Sequence, residues 1–286
     1  MTTNRPRVFY KYFSQSNYRF LENPAFRFTP HSSFNDPFEN SPSEPERLDE
    51  LTKEELIALR APLNDDHSKS QALIQKSINN LLFNQRKEYT LEEMREHQGT
   101  LCLSETHDNL LMWAHYASDH QGYVTELDAS YFFELADDPD NAWRVNLDRV
   151  QYREMRVLNQ PGDWWEYFYG THHEIATTKS THWSYEQEWR IDRPLKDADK
   201  ILTINSNPNV RRDDFGNPYH LFKLPKNILR KIIIGARASK SNLAYIKKTI
   251  KADKDLSHVV IKLSIPDPID FRLRFINISV DDLPDL

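Results

Sequence analysis

The chain has 286 residues, a formal net charge of -6 and a mean hydropathy of -0.74. With 15 Phe, 13 Tyr and 6 Trp residues it can build a large core, which excludes a chain that is disordered throughout. No apolar run approaches the ~20 residues of a membrane span, and the N-terminus has no apolar signal segment. A single cysteine, Cys102, excludes a disulfide framework within the chain, so we expect a cytoplasmic protein. Because no apolar span is present, we also expect no membrane partner.

The first third of the chain combines two short strands with an acidic helical block. The strands are predicted over residues 8–13 and 26–28. A turn-rich segment follows from 32 to 45, because an Asn-Asp-Pro sequence disfavours helix. Apolar residues at helical spacing and a capping box then predict three helices, over 48–60, over 68–83 and from Thr90. We interpret residues 46–98 as an acidic helical insertion or lid within one domain that spans 1–286.

The rest of the chain mixes strands and helices without a regular alternation. Strands are predicted over 100–104, 122–128, 188–192, 201–204, 219–224, 231–234, 259–265 and 271–278. Helices are predicted over 110–118, 164–177 and 240–251. The first of these helices is apolar nearly all round and is therefore expected to be buried. The fold class is α+β, with a mixed, mostly antiparallel β-sheet, continuous or split, that is flanked by helices.

A Glu-Gln-Glu sequence is the first candidate site. If it lies in a strand, Glu186 and Glu188 point to the same face. Paired carboxylates raise each other's pKa and suit acid–base work or the stabilisation of an oxocarbenium ion. The alternative is a structural ion pair at a sheet edge with one of three bases, Arg190, Arg193 or Lys179. Both interpretations stay open.

The helix predicted over 110–118 carries the second candidate, His115 and Tyr116. An imidazole buried on this helix must find hydrogen-bond partners, and it could orient a substrate or act as a general base. The alternative is a structural histidine that ties the helix to the following strand.

The third candidate is the turn between Phe34 and Glu39. Asn and Asp before proline can fold an Asx turn, and the two flanking phenylalanines can anchor it. Such a loop can present Asn35, Asp36 and Glu39 into a cleft. The alternative is an ordinary anchored turn.

Metal and anion sites were weighed from spacing and charge. The adjacent residues His172 and His173 splay apart on a helix, so they give no metal pattern, and we predict no metal. Ten bases and one acid lie between residues 223 and 254. Four of the lysines fall in one stripe, at Lys240, Lys247, Lys251 and Lys254. This block is either a site for an anionic ligand or RNA, or a solvated lysine face.

Five blocks of the sequence occur in a recognisable order. They are Tyr10-Lys11-Tyr12, then 34–39, then 102–105 together with 109–116 and His120-x-Gly122, then 183–190, and finally 232–235. In this order they closely resemble the prokaryotic family called domain of unknown function 2971. The resemblance covers about residue 8 to about residue 240, and the family name implies no established activity.

A more distant likeness is to the ADP-ribosyltransferase fold, in which a split sheet carries a catalytic glutamate on a late strand. That glutamate hydrogen-bonds the nicotinamide ribose of NAD and supports an oxocarbenium-like transition state. The likeness implies Glu188 as the catalytic carboxylate, Glu186 as its partner, and NAD as a substrate. The first-strand His or Arg and the Ser-Thr-Ser motif of that fold are absent here. The substrate-binding side chains expected on this view are Tyr10, Lys11, Tyr12, Asn35, Asp36, Phe38, His115, Tyr116, Trp183 and Arg190.

Two classes of function follow from these observations. One is an enzyme that transfers the glycosyl part of a nucleotide such as NAD, with a small nucleotide as its partner. The other is a non-catalytic module that binds an anionic ligand or RNA through residues 223–254. The places where such families occur also suggest a role in phage defence.

Overall fold

The structure is a computed structural model that describes residues 5–41, 43, 97–140, 145–157, 172–202 and 218–285. The helices predicted over 48–60, over 68–83 and from Thr90 lie outside these residues. Almost all of the predicted insertion 46–98 does so too, together with the part of the predicted helix 164–177 that precedes residue 172.

The described residues form strands, α-helices and short 3₁₀ helices. The strands are β1 (Val8–Phe13), β2 (Ala25–Pro30), β3 (Gln98–Ser104), β4 (Tyr123–Asp128), β5 (Asn146–Arg149), β6 (Gln151–Arg153), β7 (Thr178–Ser180), β8 (Glu188–Pro194), β9 (Lys200–Leu202), β10 (Tyr219–Lys223), β11 (Leu229–Ile234), β12 (Val260–Pro266) and β13 (Leu273–Ile278). The α-helices are α1 (Leu110–Tyr116), α2 (Ala129–Asp137), α3 (His172–Thr177) and α4 (Lys240–Ala252). The 3₁₀ helices are Gln15–Leu21, His31–Ser33, Thr181–Glu186, Leu195–Asp197, Lys226–Ile228, Lys254–Leu256 and Val280–Asp282.

One mixed sheet holds eleven of these strands in the order β13-β12-β11-β4-β1-β3-β2-β10-β9, with β8 paired to β3 and β5 paired to β8. Within it β11 and β12 are parallel, and the other pairs are antiparallel. The strands β6 and β7 form a separate parallel pair. The predicted α+β class with a mixed, mostly antiparallel sheet is confirmed.

The sheet divides along β3. One edge of β3 pairs with β8 over its whole length. The other edge pairs with β1 at Tyr10–Ser104 and with β2 at Thr29–Thr100. Between these two contacts β1 and β2 separate, at the level of Cys102. We call this place the sheet fork.

The two faces of the sheet carry different layers. On one face Phe9 and Ile232 pack with Phe132 of α2 and Ile246 of α4 in the larger core. On the other face α1 covers a smaller cluster that contains Tyr10, Tyr12, Met112 and Trp113. The side chain of Asn109 caps α1 by accepting hydrogen bonds from the backbone N–H groups of Leu111 and Met112.

The comparison with the sequence predictions gives two corrections. The strands predicted within the described residues are present, but α2 was not predicted. The expectation that the helix near 110–118 is buried nearly all round is wrong, because Leu111 is half exposed and His115 is exposed. Only the side of α1 that carries Met112 and Trp113 packs on the sheet.

Candidate functional site

A buried group of charges lies at the start of β8. It consists of Glu39, Lys179, Glu186, Glu188 and Arg190, each at most 9% exposed, and we call it the charge cluster. Three carboxylates and two cations give it a formal charge of -1 when all are ionised. Removing charges from water costs roughly several kcal/mol per ion, and only good mutual geometry offsets that cost. Such a cluster is therefore a candidate functional site.

A left-handed turn, and not a strand, brings the two glutamates together. Glu186 is the last residue of a 3₁₀ helix and Glu188 is the first of β8, so the prediction that both lie on one strand is wrong. Gln187 between them has φ 45° and ψ 54°, a conformation that costs free energy for a residue other than glycine. The end of β3 holds this turn. The Ser104 hydroxyl donates to the Glu186 carbonyl at 2.6 Å, and the Glu105 N–H donates to the Gln187 carbonyl at 3.0 Å.

Lys179 joins the three carboxylates. Its Nζ lies 2.6 Å from Oε2 of Glu186, 3.1 Å from Oε2 of Glu188 and 2.8 Å from Oε1 of Glu39. The same ammonium lies 5.0 Å from the centre of the Trp183 ring. Burial alone would lower the pKa of Lys179, but the three carboxylates outweigh it and raise the pKa. The lysine therefore stays charged inside the cluster.

Each guanidinium nitrogen of Arg190 donates a hydrogen bond to another group of the protein. Its Nε donates to Glu188 Oε1 at 2.9 Å, its Nη1 to the Ala176 carbonyl at 2.6 Å and its Nη2 to Glu39 Oε1 at 2.8 Å. The Phe34 ring lies 5.4 Å from its Cζ. This arrangement supports a role for Arg190 in holding the cluster together. Its expected role in substrate binding stays a prediction.

The pKa values of Glu186 and Glu188 are shifted in opposite directions. Burial would raise the pKa of Glu188, but the charges of Arg190 and Lys179 outweigh it and lower that pKa. Burial and the negative charge of Glu188 raise the pKa of Glu186, despite its bonds to Lys179 and Tyr116. The expectation that each carboxylate raises the other's pKa is therefore wrong for Glu188. Neighbouring carboxylates with separated pKa values are typical of acid–base sites.

Two predicted site residues from other elements lie beside Glu186: Tyr116 contacts it, and Asn35 contacts Tyr116. The Tyr116 hydroxyl, at the end of α1, donates to Glu186 Oε1 at 2.6 Å. Burial and the negative charge of Glu186 raise the pKa of Tyr116, while a hydrogen bond with Asn35 acts the other way. Asn35 comes from the turn between Phe34 and Glu39. The structure thus brings Asn35, Tyr116 and Glu186 together, as the sequence analysis expected for a site.

In the described part of the chain, the side chains of three other predicted residues form no hydrogen bond or ion pair with the side chains of the cluster. His115 is exposed and its ring contacts only that of Tyr116, at 6.3 Å, so the expected buried imidazole is wrong. Asp36 is buried and accepts a hydrogen bond from the Phe38 N–H at 2.9 Å, which folds the Asx turn. The Phe38 ring is 60% exposed and lies 5.6 Å from Cζ of Arg156.

The three predicted residues of β1 have separate partners. The Tyr10 hydroxyl donates to Glu126 at 3.1 Å, and the Tyr12 hydroxyl donates to a backbone carbonyl at 3.1 Å. Lys11 donates to the Cys102 carbonyl at 2.8 Å, at the sheet fork. None of these hydrogen bonds reaches a residue of the charge cluster.

The central role of Lys179 was not predicted, because the sequence offered it only as an alternative ion-pair partner. Glu39 was expected to face a cleft, but not to pair with Lys179 and Arg190. A buried polar row beside the cluster was not predicted either. In the pairing of β3 with β8, Thr100 lies opposite Asp192, next to the pair of Cys102 and Arg190. His31 Nε2 lies 2.8 Å from the Thr100 hydroxyl, which donates to Asp192. This row could have been predicted from the polar residues at alternate positions, Thr100 and Ser104 on β3 and Glu188, Arg190 and Asp192 on β8.

Half of the bases in the segment 223–254 are paired with carboxylates in the structure. Five of its ten bases form ion pairs: Lys226–Asp253, Arg230–Asp128, Lys231–Glu126, Lys247–Asp285 and Lys251–Asp281. Lys247 is buried and donates to the Leu283 carbonyl at 2.8 Å. The predicted stripe of solvated lysines is therefore wrong at Lys247, because the C-terminal segment packs over it. No observation here favours an anion surface over a solvated lysine face.

No helix in the described ranges is long and apolar enough to cross a membrane. Among the same residues, no group of three or more His, Cys, Asp or Glu side chains could hold a metal ion.

Comparison with known proteins agrees with the family expected from the sequence. Residues 112–191 match the sequence model of the family described as "Protein of unknown function (DUF2971)", so the resemblance to that family is confirmed over these residues. The matched segment begins in α1 and ends in β8, and it contains four of the five members of the charge cluster. Neither the search of curated proteins nor the search of solved structures gave a significant match.

Proposed function

We propose that this chain, which carries the domain of unknown function 2971, is an enzyme that transfers or releases the glycosyl part of a nucleotide such as NAD. The observation that carries the proposal is the different surroundings of two neighbouring buried carboxylates. Glu188 is held by Arg190 and Lys179, which lower its pKa, whereas Glu186 is held by Lys179 and Tyr116 and its pKa is raised by burial. One carboxylate can then hold a permanent negative charge while its neighbour exchanges a proton.

Glu188 supplies the permanent charge in this proposal. Cleavage of a glycosidic bond passes through an oxocarbenium-like state, which a fixed carboxylate stabilises. Both oxygens of Glu188 accept hydrogen bonds from Arg190, and Lys179 also donates to one of them. These bonds fix the position of the carboxylate and offset part of its charge.

Glu186 supplies the proton exchange. A water or an acceptor hydroxyl attacks the anomeric carbon, and the bond from that carbon to the nicotinamide nitrogen breaks. Nicotinamide leaves with the bonding electron pair, and the proton of the attacking group passes to Glu186. A raised pKa makes this carboxylate a better proton acceptor than an ordinary glutamate.

The remaining predicted residues would form the rim of the site. Tyr116 donates a hydrogen bond to Glu186, Asn35 hydrogen-bonds to Tyr116, and the Trp183 ring could stack on the nicotinamide or the adenine. Glu186 and Glu188 are each 3% exposed. The substrate would therefore have to displace the Tyr116 hydroxyl from Glu186. The competing interpretation is a purely structural ion-pair network.

The test is the release of nicotinamide from NAD by the full chain and by Glu186→Gln, Glu188→Gln and the control Glu134→Gln, whose side chain is exposed on α2. We expect the wild type and the control to release nicotinamide, and Glu186→Gln to lose about 100-fold or more of the rate while still folded. NAD should also raise the unfolding midpoint of the wild type. No release and no shift in the wild type would leave the structural network as the explanation.

A further inference from the structure

Among the described residues, the mixed sheet has three edge strands, β13, β9 and β5, each paired on one side only. A bare strand edge invites pairing with another chain, and proteins protect such edges with charged residues or by keeping the strand short. β9 has three residues and includes Lys200, and β5 has four residues and includes Asp148 and Arg149. β13 has six residues and a single charged one, Arg274. It is therefore the least protected of these edges.

The sequence of β13 places apolar side chains on both faces of the strand. Leu273 and Phe275 lie on the face that carries α1, where they pack against the smaller cluster. Ile276 and Ile278 lie on the opposite face, since successive side chains of a strand alternate. Ile278 packs against the larger core there, whereas Ile276 is 50% exposed. The strand thus resembles a central strand of a covered sheet, and Ile276 offers apolar surface to a further strand.

The turn between β12 and β13 holds this edge in place. The Asp267 carboxylate is 0% exposed, and it accepts hydrogen bonds from the N–H groups of Ile269 at 2.8 Å and Asp270 at 3.1 Å. It also accepts from Nε of Arg274 at 2.6 Å and from Nε of Arg272 at 3.1 Å. A strand edge that is fixed in advance loses less conformational freedom when a partner strand pairs with it.

The two ends of β13 carry opposite charge. At its start, the side chains of Arg272 and Arg274 are 64% and 49% exposed, and they outnumber the one exposed acid, Asp270. Of the three aspartates between 281 and 285, two pair with lysines of α4. The third, Asp282, has no ion pair within the described ranges. Antiparallel pairing of two β13 strands directs the arginine end of each toward the aspartate end of the other, whereas parallel pairing would bring like charges together.

We propose that two copies of this chain associate through β13, which pairs antiparallel with the β13 of the second copy and joins the two sheets into one. Such a pair is related by a two-fold axis, so every interface residue occurs twice. Ile276, near the middle of the strand, lies close to this axis and packs against the partner strand. The interface goes beyond the proposed glycosyl transfer and does not depend on it.

Sedimentation velocity of the full chain at micromolar concentrations tests the proposal. We expect the wild type, with a monomer mass of 33.9 kDa, to form a dimer as its concentration rises. Ile276→Lys should raise the dissociation constant about tenfold or more, because the two-fold axis places the added charge in both strands. The matched control is Ile201→Lys on the short edge strand β9, where the isoleucine is 49% exposed. The control should dimerise like the wild type.

A second variant, Asp282→Lys, tests the antiparallel orientation. It reverses the charge that faces the arginine end of the partner strand, so the dimer should weaken severalfold. Asp282 is exposed and lies outside β13, so this variant decides the question even where Ile276→Lys does not fold. A wild type that stays monomeric would overturn the proposal, and so would a dimer that Asp282→Lys leaves unchanged or that Ile201→Lys weakens as much as Ile276→Lys. These results are independent of nicotinamide release.

Discussion

Lys179 Nζ lies 2.6 Å from Oε2 of Glu186, at a place where each side chain is at most 5% exposed. The lysine is on the short strand β7 and the glutamate ends the 3₁₀ helix that follows it. The same ammonium reaches Glu188 and Glu39, so one cation organises three carboxylates. The stability of the cluster and its chemistry therefore depend on the same bond.

Replacing Lys179 by Met should destabilise the protein strongly. The substitution leaves three buried carboxylates with only Arg190 as their cation, and breaking a buried ion pair costs about 3–5 kcal/mol. Urea unfolding measures the effect, with Lys248→Met as the control at an exposed position. The control should change the free energy of unfolding by less than about 0.5 kcal/mol. Equal effects of the two variants would contradict the role assigned to Lys179.

Glu188 should make stability depend on pH below its ordinary pKa of 4.5. The pKa of Glu188 is lower in the folded state than its ordinary value. Its contribution to stability is therefore fully present above pH 4.5 and is lost as the pH falls toward the folded-state pKa. Glu186 has the opposite sign: its raised pKa makes ionisation a penalty to the folded state as the pH rises above 4.5. We expect Glu188→Gln to lose more stability at neutral pH than Glu186→Gln.

Urea unfolding of the wild type and of both glutamate variants, measured from neutral pH down to about pH 3, checks these signs. Stability of Glu188→Gln should fall less steeply than that of the wild type below pH 4.5. Identical slopes in all three proteins would show that neither carboxylate titrates as described.

Gly122 should tolerate alanine less well than Gly99. A Cβ at Gly122 would overlap the backbone carbonyl of Phe13, which cannot move without shifting β1. At Gly99 the closest atom is the end of the flexible Leu195 side chain, which can move more easily. We expect Gly122→Ala to cost about 3 kcal/mol and Gly99→Ala about 1 kcal/mol, the upper and lower parts of the range for overpacking. Thermal unfolding of both variants decides the order.

The cap of α1 should contribute measurably to stability. Asn109 accepts hydrogen bonds at 2.9 Å and 3.1 Å from the N–H groups of Leu111 and Met112. Asn109→Ala should cost about 1 kcal/mol, whereas Asn109→Asp should retain most of the stability. Because Tyr116 ends this helix, the alanine variant should also weaken the contact of Tyr116 with Glu186. Equal stability of the Ala and Asp variants would argue against the cap.

The strands were predictable because their apolar and aromatic residues alternate locally. The helix α2 was missed for a related reason. Its residues Tyr131, Phe132 and Phe133 are aromatic and favour strands, and its N-cap, Asp128, is also the last residue of β4. The left-handed turn at Gln187 was not predictable either, since glutamine seldom adopts positive φ.

The charge cluster was only partly predictable from the sequence. Glu186, Glu188 and Tyr116 were identified from residue type and spacing. Glu39 lies 140 positions before its partner Lys179 in the chain. Their pairing therefore depends on the sheet topology, which places the turn between Phe34 and Glu39 over β3 and β8. Local pattern therefore gave the two glutamates and offered both cations as candidate partners, whereas the pairing of those cations with Glu39 came from the fold.

The pH dependence of nicotinamide release from NAD tests the central claim most directly. The account predicts that the rate of the wild type rises with pH through a pKa above the ordinary glutamate value, as Glu186 loses its proton. This rise should disappear in Glu186→Gln while the exposed control Glu134→Gln keeps it. No release at any pH, or a profile unchanged in Glu186→Gln, would contradict the account.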